Sequence, residues 1–302
     1  MIHKLFLLLF VCLFLSVAQI QTISIQKLPI SNTELWSNPR FSPTGGEIYF
    51  TNSEYNGIWQ FSLKTQLVKE ITRDTHSGYN FSVSDDGTKL AYRRTVVEGD
   101  HKTRLQESVE YNLQTTSAQI KESGNSIANP VFVKNDLVTA DNVAKRINFS
   151  KIQSVSQILG IEETKIAILV NSEKVIFDPF KNGQYIWPQL SPDKKSIVAV
   201  EMDRGAFISD INGDNITRLG RCNAPQWSRS GKWIIGMEDI DDGHSLLSSD
   251  IIAVSIDGNQ KINLTQTFGG IAMYPACSPK ENLIAFSTTS GEIYLLKYEE
   301  VK

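Results

Sequence analysis

Five times along the chain a short segment runs into a serine turn, and six residues past each serine stands an aliphatic residue. The copies are Asn38-Pro39-Arg40-Phe41-Ser42-Pro43, Asn80-Phe81-Ser82-Val83-Ser84-Asp85, Trp187-Pro188-Gln189-Leu190-Ser191-Pro192, Ala224-Pro225-Gln226-Trp227-Ser228-Arg229 and Tyr274-Pro275-Ala276-Cys277-Ser278-Pro279. The aliphatic residues are Ile48, Leu90, Ile197, Ile234 and Ile284. A constant offset across a turn fixes the register of the two strands it joins. The stretch from Trp187 to Leu219 shows the whole unit. Pro188 to Leu190 enters, Ser191-Pro192-Asp193-Lys194-Lys195 turns, Ser196 to Val200 forms a strand apolar enough for burial on both faces, and Ala206 to Ile211 answers it. Asn212-Gly213 is a two-residue hairpin signal, and Ile216 to Leu219 supplies an outer strand.

Four strands repeated about every 40 residues are the signature of a β-propeller, whose blades bury their faces only by stacking on neighbours. The expected fold is therefore all-β, a propeller of seven blades with six as the alternative. The count turns on the middle of the chain. Asn129-Pro130-Val131-Phe132 opens a reduced unit with a Lys134-Asn135 turn, Asp136 to Ala140 and Lys145 to Ser150. Thr164 to Val170 and Glu173 to Phe177 then read as another inner hairpin, joined by Asn171-Ser172. Counted separately these stretches give seven blades; taken as one distorted blade they give six. The last unit supplies three strands, and Thr22 to Leu28 resembles a closing strand, so we expect the N-terminal strand to pair with the last blade and close the ring.

The motif Pro-x-aromatic-Ser-Pro-Asp, with Ser84-Asp85-Asp86-Gly87-Thr88-Lys89-Leu90-Ala91-Tyr92 and the unit ending Ile262-Asn263-Leu264-Thr265, resembles the WD40-like repeat of TolB-like propellers. Dipeptidyl-peptidase and oligogalacturonate-lyase propellers carry similar repeats. The resemblance covers nearly all of the chain after residue 18. It implies a propeller, and for a TolB-like one a periplasmic setting, although no additional N-terminal domain such as TolB has is expected here. The matching residues are turn and core positions, so the resemblance transfers no catalytic residue.

With 302 residues and 41% hydrophobic content the chain can bury a large core. Residues 1–18 stand apart: Lys4 precedes an apolar run from Leu5 to Leu15, followed by small residues at Ser16-Val17-Ala18. This pattern reads as a signal peptide, with 19–302 a single propeller domain that is exported to the periplasm or the extracellular space. Its removal takes away Lys4 and shifts the net charge from -3 to -4. A weakly acidic, mixed surface speaks against nucleic acid, and no transmembrane segment is expected after residue 18. Cys222 and Cys277 remain, enough for one disulfide; because Cys277 aligns with the core positions of Phe41, Leu190 and Trp227, two free thiols are the favoured expectation.

In an antiparallel meander the turns joining second to third strands emerge on one face, together with the connections between blades. The longer segments belong there: Thr72 to Gly78, Arg94 to Lys102, Glu238 to Ser249 and Gln266 to Met273. They bring His76, His101 and His244, accompanied by Asp100 and Asp241. His and carboxylates are natural ligands for divalent ions, yet the spacings match no ligand motif, so no metal or other cofactor is assigned. Trp36, Tyr79, Tyr185, Phe268 and Tyr274 form an aromatic set at the same mouth, suited to peptide, sugar or protein contacts. Asp210-x-Asn212-x-Asp214 begins like a calcium loop, but Asn215 and Arg221 stand where Gly and Glu are required. No Gly-x-Ser-x-Gly nucleophile motif occurs, and no catalytic residue is expected. The chain thus reads as a non-enzymatic module that binds a protein partner or a cell-envelope component. The alternative is a propeller binding a carbohydrate or small ligand, extending to a metal-dependent lyase or hydrolase that uses His76, His101 or His244.

Overall fold

The computed structural model describes residues 19–99, 103–143, 152 and 154–301. The expected signal peptide, residues 1–18, lies outside them, as do Asp100, His101 and the expected strand from Lys145 to Ser150. After β1 (Gln19–Lys27), the first blade runs β2 (Trp36–Phe41), β3 (Glu47–Asn52), β4 (Ile58–Ser62) and β5 (Val68–Thr72). The second comprises β6 (Ser82–Val83), β7 (Lys89–Glu98), β8 (Thr103–Asn112) and β9 (Ser117–Gly124). A small ladder of β10 (Val131–Val133) and β11 (Asp136–Val138) follows. The third blade has three strands, β12 (Gln157–Glu162), β13 (Lys165–Val170) and β14 (Glu173–Phe177). The fourth is β15 (Tyr185–Leu190), β16 (Ser196–Glu201), β17 (Gly205–Asp210) and β18 (Thr217–Gly220). The fifth is β19 (Asn223–Trp227), β20 (Trp233–Asp241), β21 (Leu246–Ser255) and β22 (Lys261–Asn263). The sixth is β23 (Ala272–Cys277), β24 (Leu283–Thr288) and β25 (Ile293–Val301), with β1 as the outer strand of the same sheet.

Two expectations need correction. Among the described residues the propeller has six blades, not seven. The stretch from Val131 to Val138 forms only three residue pairs, too little to stand as a blade. It is wedged between the second and third blades: Val131, Val133 and Val138 pack on Leu159, Ala167 and Leu169, while the Phe132 N–H donates to Ser82 Oγ at 3.0 Å. Nor do hydrogen-bonded strands close the ring from blade to blade. β1 pairs antiparallel with β25 inside the sixth sheet, from Gln19↔Val301 to Lys27↔Tyr294, but among the described residues no ladder joins one sheet to another. The first and sixth blades meet through packed side chains, with Ile48, Phe50 and Phe61 against Ala285 and Ile293.

The core lies between blades, and strand alternation builds it. Along β16, Ile197 and Ala199 face the third blade, joining Ile166, Ile168 and Phe177, whereas Val198 and Val200 face the fifth, joining Ile234, Ile252 and Val254. One strand therefore serves two interfaces, which is why its sequence is apolar throughout. Trp233, Ile235, Ile251 and Ala253 continue the pattern against Ile284, Phe286 and Leu296.

The repeated serine is the keystone of each first turn. Ser42, Ser84, Ser191, Ser228 and Ser278 are all buried. In four of them the hydroxyl oxygen accepts the N–H five residues on: Glu47, Lys89, Ser196 and Trp233 donate at 3.2, 3.0, 2.9 and 3.2 Å. Two of the hydroxyls donate to an aspartate in the turn, Ser84 to Asp86 at 2.6 Å and Ser191 to Asp193 at 2.7 Å. The residue before each serine pairs with the aliphatic residue six beyond the serine, as in Phe41↔Ile48, Val83↔Leu90, Leu190↔Ile197, Trp227↔Ile234 and Cys277↔Ile284.

Four of these inner strands also carry a β-bulge. Ser37/Arg40, Ile186/Gln189, Asn223/Gln226 and Met273/Ala276 bracket the irregularity, and the residue before the proline takes a positive φ: Asn38, 50°; Trp187, 51°; Ala224, 46°; Tyr274, 52°. Asn80, at the matching place in the second blade, has φ 53°. A proline in a sheet belongs at an edge or bulge, because it has no N–H for a ladder. The inner strand is such an edge, so the recurring proline marks the bulge.

Candidate functional site

First strands of successive blades contact one another around the axis, β12 with β15, β15 with β19, β19 with β23 and β23 with β2. Their bulges therefore line a central channel, and the turns between second and third strands surround one of its mouths. Two of those turns are not loops, as the sequence suggested, but long β-hairpins. The ladder of β7 with β8 continues to Glu98↔Thr103, and that of β20 with β21 to Asp241↔Leu246. Val97, Ile240 and Leu247 sit near the tips with 46%, 51% and 57% of their surface in solvent.

The expected aromatic set divides into two groups. Trp36 is buried, with its ring edge-on to Phe50 and Trp59 at 5.2 and 4.7 Å and its indole N–H donated to Ser31 O at 2.8 Å. Tyr185 is buried too; its hydroxyl donates to Asp178 at 2.6 Å and accepts the Phe180 N–H at 3.2 Å. Phe268 stands edge-on to Phe286 and Tyr294, at 5.2 and 4.7 Å. These three brace blades. Tyr79 is 44% exposed and lies edge-on to Tyr55 at 5.4 Å. Tyr274 is half-buried on the bulge of the sixth blade, and burial, reinforced by the nearby Tyr55 and Asp239, pushes its phenol pKa up.

Arg40 completes this cluster, and sequence reasoning missed it along with Tyr55. The guanidinium crosses from the first blade to the second, donating to Phe81 O at 3.0 Å and Asn80 Oδ1 at 2.9 Å, and lies 5.1 Å from the centre of the Phe81 ring. Its side chain is exposed to solvent, yet desolvation by the surrounding protein lowers its pKa, opposed by Tyr55 and Tyr79. Both observations fit a group that faces the axis of the ring with protein around it and an open side to solvent. Arg93 resembles it: its Nη1 donates to Ile127 O at 2.7 Å, burial lowers its pKa, and Tyr79 opposes that shift. The signal for Arg40 was its uniqueness, since the other copies hold Ser82, Gln189, Gln226 and Ala276 at that position.

His101 lies outside the described residues; of the other two, His76 lies between the first and second blades and His244 in the hairpin of the fifth. His76 is exposed, with Nδ1 2.9 Å from Thr95 Oγ1, while its neighbour Asp74 accepts the Tyr92 hydroxyl at 2.8 Å and an ion pair from Arg94 at 3.2 Å. Asp241 and His244 are exposed at the tip of the fifth-blade hairpin, where Asp241 accepts the Gly243 N–H and Asp242 accepts the His244 N–H, each at 2.9 Å. Among the described residues no group of three or more His, Cys, Asp and Glu side chains is placed to hold a metal ion. Asp210 caps its own hairpin, accepting the N–H groups of Asn212 and Asp214 at 2.9 and 3.0 Å. Cys222 and Cys277 are free thiols; burial pushes Cys222 up to about 12 and Cys277 also upward.

Strands in antiparallel meanders, stacked face to face around an axis, define a β-propeller. Within that class the chain has the TolB-like, WD40-like propeller fold. No protein-family model matches the chain, and no curated protein matches it. Solved structures do. TolB from Acinetobacter baumannii is similar with a TM-score of 0.56 at 19% identity, over 83% of this chain and 59% of that one. The chain thus spans under two thirds of the TolB structure. The Cps50 (Swd1) β-propeller domain of Myceliophteria thermophila gives 0.61 at 9% identity, over 92% and 99%. The tricorn protease gives 0.53 at 18%, over 89% of this chain and 26% of that one. At these identities the likeness concerns the fold. Among the described residues no helix is long and apolar enough to cross a membrane.

Proposed function

We propose that this protein is an exported, non-enzymatic propeller that binds a partner protein or a cell-envelope component through the face bearing the long hairpins. The observation that carries the reading is the pair of hairpins extended beyond the blades, holding Val97, Ile240 and Leu247 in solvent beside a mouth of tyrosines. Apolar tips and rigid aromatic rings are the usual anchors of protein interfaces. The opposite face exposes apolar residues in short turns, Leu67 and Ile256 among them, without such projections. Export is supported by the pattern of Lys4, Leu5 to Leu15 and Ser16-Val17-Ala18.

The test is capture of partners from the native envelope by residues 19–302, compared with the variant Tyr79→Glu, Ile240→Glu, Leu247→Glu. A partner retained by the wild type and by Leu67→Glu, but lost by the triple variant at unchanged melting temperature, supports the reading. Partners held equally by all three proteins contradict it.

A further inference from the structure

The channel mouth holds two arginines that no described carboxylate neutralises. Arg40 bonds to a carbonyl and an amide, and Arg93 to a carbonyl. Neither forms an ion pair with a described carboxylate, whereas the neighbouring Arg73 and Arg94 each bind two. Cations inside protein are normally paired, because desolvation without a counter-charge is costly. Arg40 meets that cost through a carbonyl, a side-chain amide and the Phe81 ring rather than a carboxylate, and the residue remains exposed. A guanidinium placed this way keeps donors free in a fork that matches a carboxylate.

The surroundings favour a chain-like ligand. Tyr55, Tyr79 and Tyr274 supply rings and hydroxyls at the mouth, and Trp187 is 38% exposed on its bulge. Gln189 and Gln226 occupy in their blades the position Arg40 takes in the first, while Asn38 and Asn80 hold the positive-φ positions of the first two. Side-chain amides pair well with peptide groups, and aromatic rings with the side chains between them. Asn38, Asn80, Trp187, Ala224 and Tyr274 are held at positive φ, a backbone state unfavourable for a residue with a Cβ. Five blades repeat it, so its effect on where those side chains point is built into the fold.

We infer that the channel mouth is a binding site for an acidic peptide segment, whose carboxylate is taken by Arg40, with Arg93 adding charge and Tyr55, Tyr79 and Tyr274 enclosing the chain. The inference rests on the reading of this face as the binding surface and names the chemistry of its partner. A carboxylate could also arrive on an acidic sugar, and the test separates the two.

Calorimetric titration of residues 19–302 with a short Gly/Ser peptide carrying two aspartates is the direct measurement, with the same peptide bearing asparagines and with galacturonate as the other arms. The aspartate peptide should bind, and the asparagine peptide about tenfold or more weakly, the weight of a single charge-assisted bond. Arg40→Gln should lose a similar factor and Arg40→Lys less. Because Arg40 also bridges two blades, Tyr55→Phe with Tyr274→Phe is the second variant, which should weaken binding at unchanged melting temperature. Equal binding of both peptides, full affinity in Arg40→Gln, or no binding of the aspartate peptide at millimolar concentration overturns the inference. Binding of galacturonate in preference to the peptide overturns the peptide assignment. The variant Ile240→Glu, Leu247→Glu, which leaves Tyr79 in place, separates the two claims: loss of the captured partner with aspartate-peptide binding intact supports both, and retention of the partner with peptide binding intact overturns the reading of the hairpin tips alone.

Discussion

Removing one hydroxyl, in Ser84→Ala, tests whether the serine keystones hold the blades. Ser84 is fully buried, its oxygen accepts the Lys89 N–H at 3.0 Å, and its hydrogen goes to Asp86 at 2.6 Å. Alanine fits the same space and keeps the backbone bond in which the Ser84 N–H donates to Lys89 O at 3.0 Å. What is lost is the acceptor for the Lys89 N–H. Leaving a buried donor unsatisfied costs about 1–3 kcal/mol. The Asp86 carboxylate is solvent-exposed, so water replaces the lost hydroxyl there. For a domain of this size each kcal/mol lowers the melting temperature by roughly 2–4 °C, so a loss near 2 kcal/mol means roughly 4–8 °C. Urea denaturation followed by tryptophan fluorescence gives the same quantity from the shift in midpoint at constant slope. Ser53→Ala, at an exposed position, is the control and should change stability by less than about 0.5 kcal/mol. If Ser84→Ala falls within that range, the serine is not a keystone and the repeated motif needs another explanation.

Three further outcomes are expected. Asp86, Asp193 and Asp257 accept hydroxyls from Ser84, Ser191 and Ser255, bonds that hold their pKa values below the usual carboxylate range. Their stabilisation is therefore fully present above about pH 4, the unfolded value, and disappears as pH falls through the lower folded values; thermal melts from about pH 6 to pH 2 will show it. Lys194 takes φ 60° where three of the other turns use Gly45, Gly87 and Gly231, so Lys194→Gly should stabilise by about 0.5–1 kcal/mol, while Lys195→Gly next to it should not, as urea midpoints will decide. Native protein should resist iodoacetamide at neutral pH, since burial raises the Cys222 and Cys277 thiols, and both should react in urea, as mass spectrometry can count.

The blades were legible because their signals are local. A serine turn with an aliphatic residue six positions on specifies a hairpin and its register within a dozen residues, and Ile48, Leu90, Ile197, Ile234 and Ile284 are all fully buried. The blade count was not legible, because Val131 to Val138 has the motif and turn of a blade but depends for its extent on the blades around it. Among the candidate site residues the same difficulty appears. Trp36, Tyr185 and Phe268 read in sequence much as Tyr79 and Tyr274 do, and only the neighbouring blade decides which ring is covered. Arg40 was visible as an exception in the repeat, yet its placement against Asn80 and Phe81 of the next blade is a tertiary fact.

The most direct test of the hairpin-bearing face as the binding surface is hydrogen exchange of residues 19–302, free and saturated with a captured partner. Protection is expected at Val96–Val97 and Thr103–Leu105, at Asp239–Asp241 and Leu246–Ser248, and around Tyr55 and Tyr79, with no change at the serine turns of the opposite face. Protection at Ser42–Gly45 and Ser191–Lys194 instead, with the hairpins unaffected, would contradict the account.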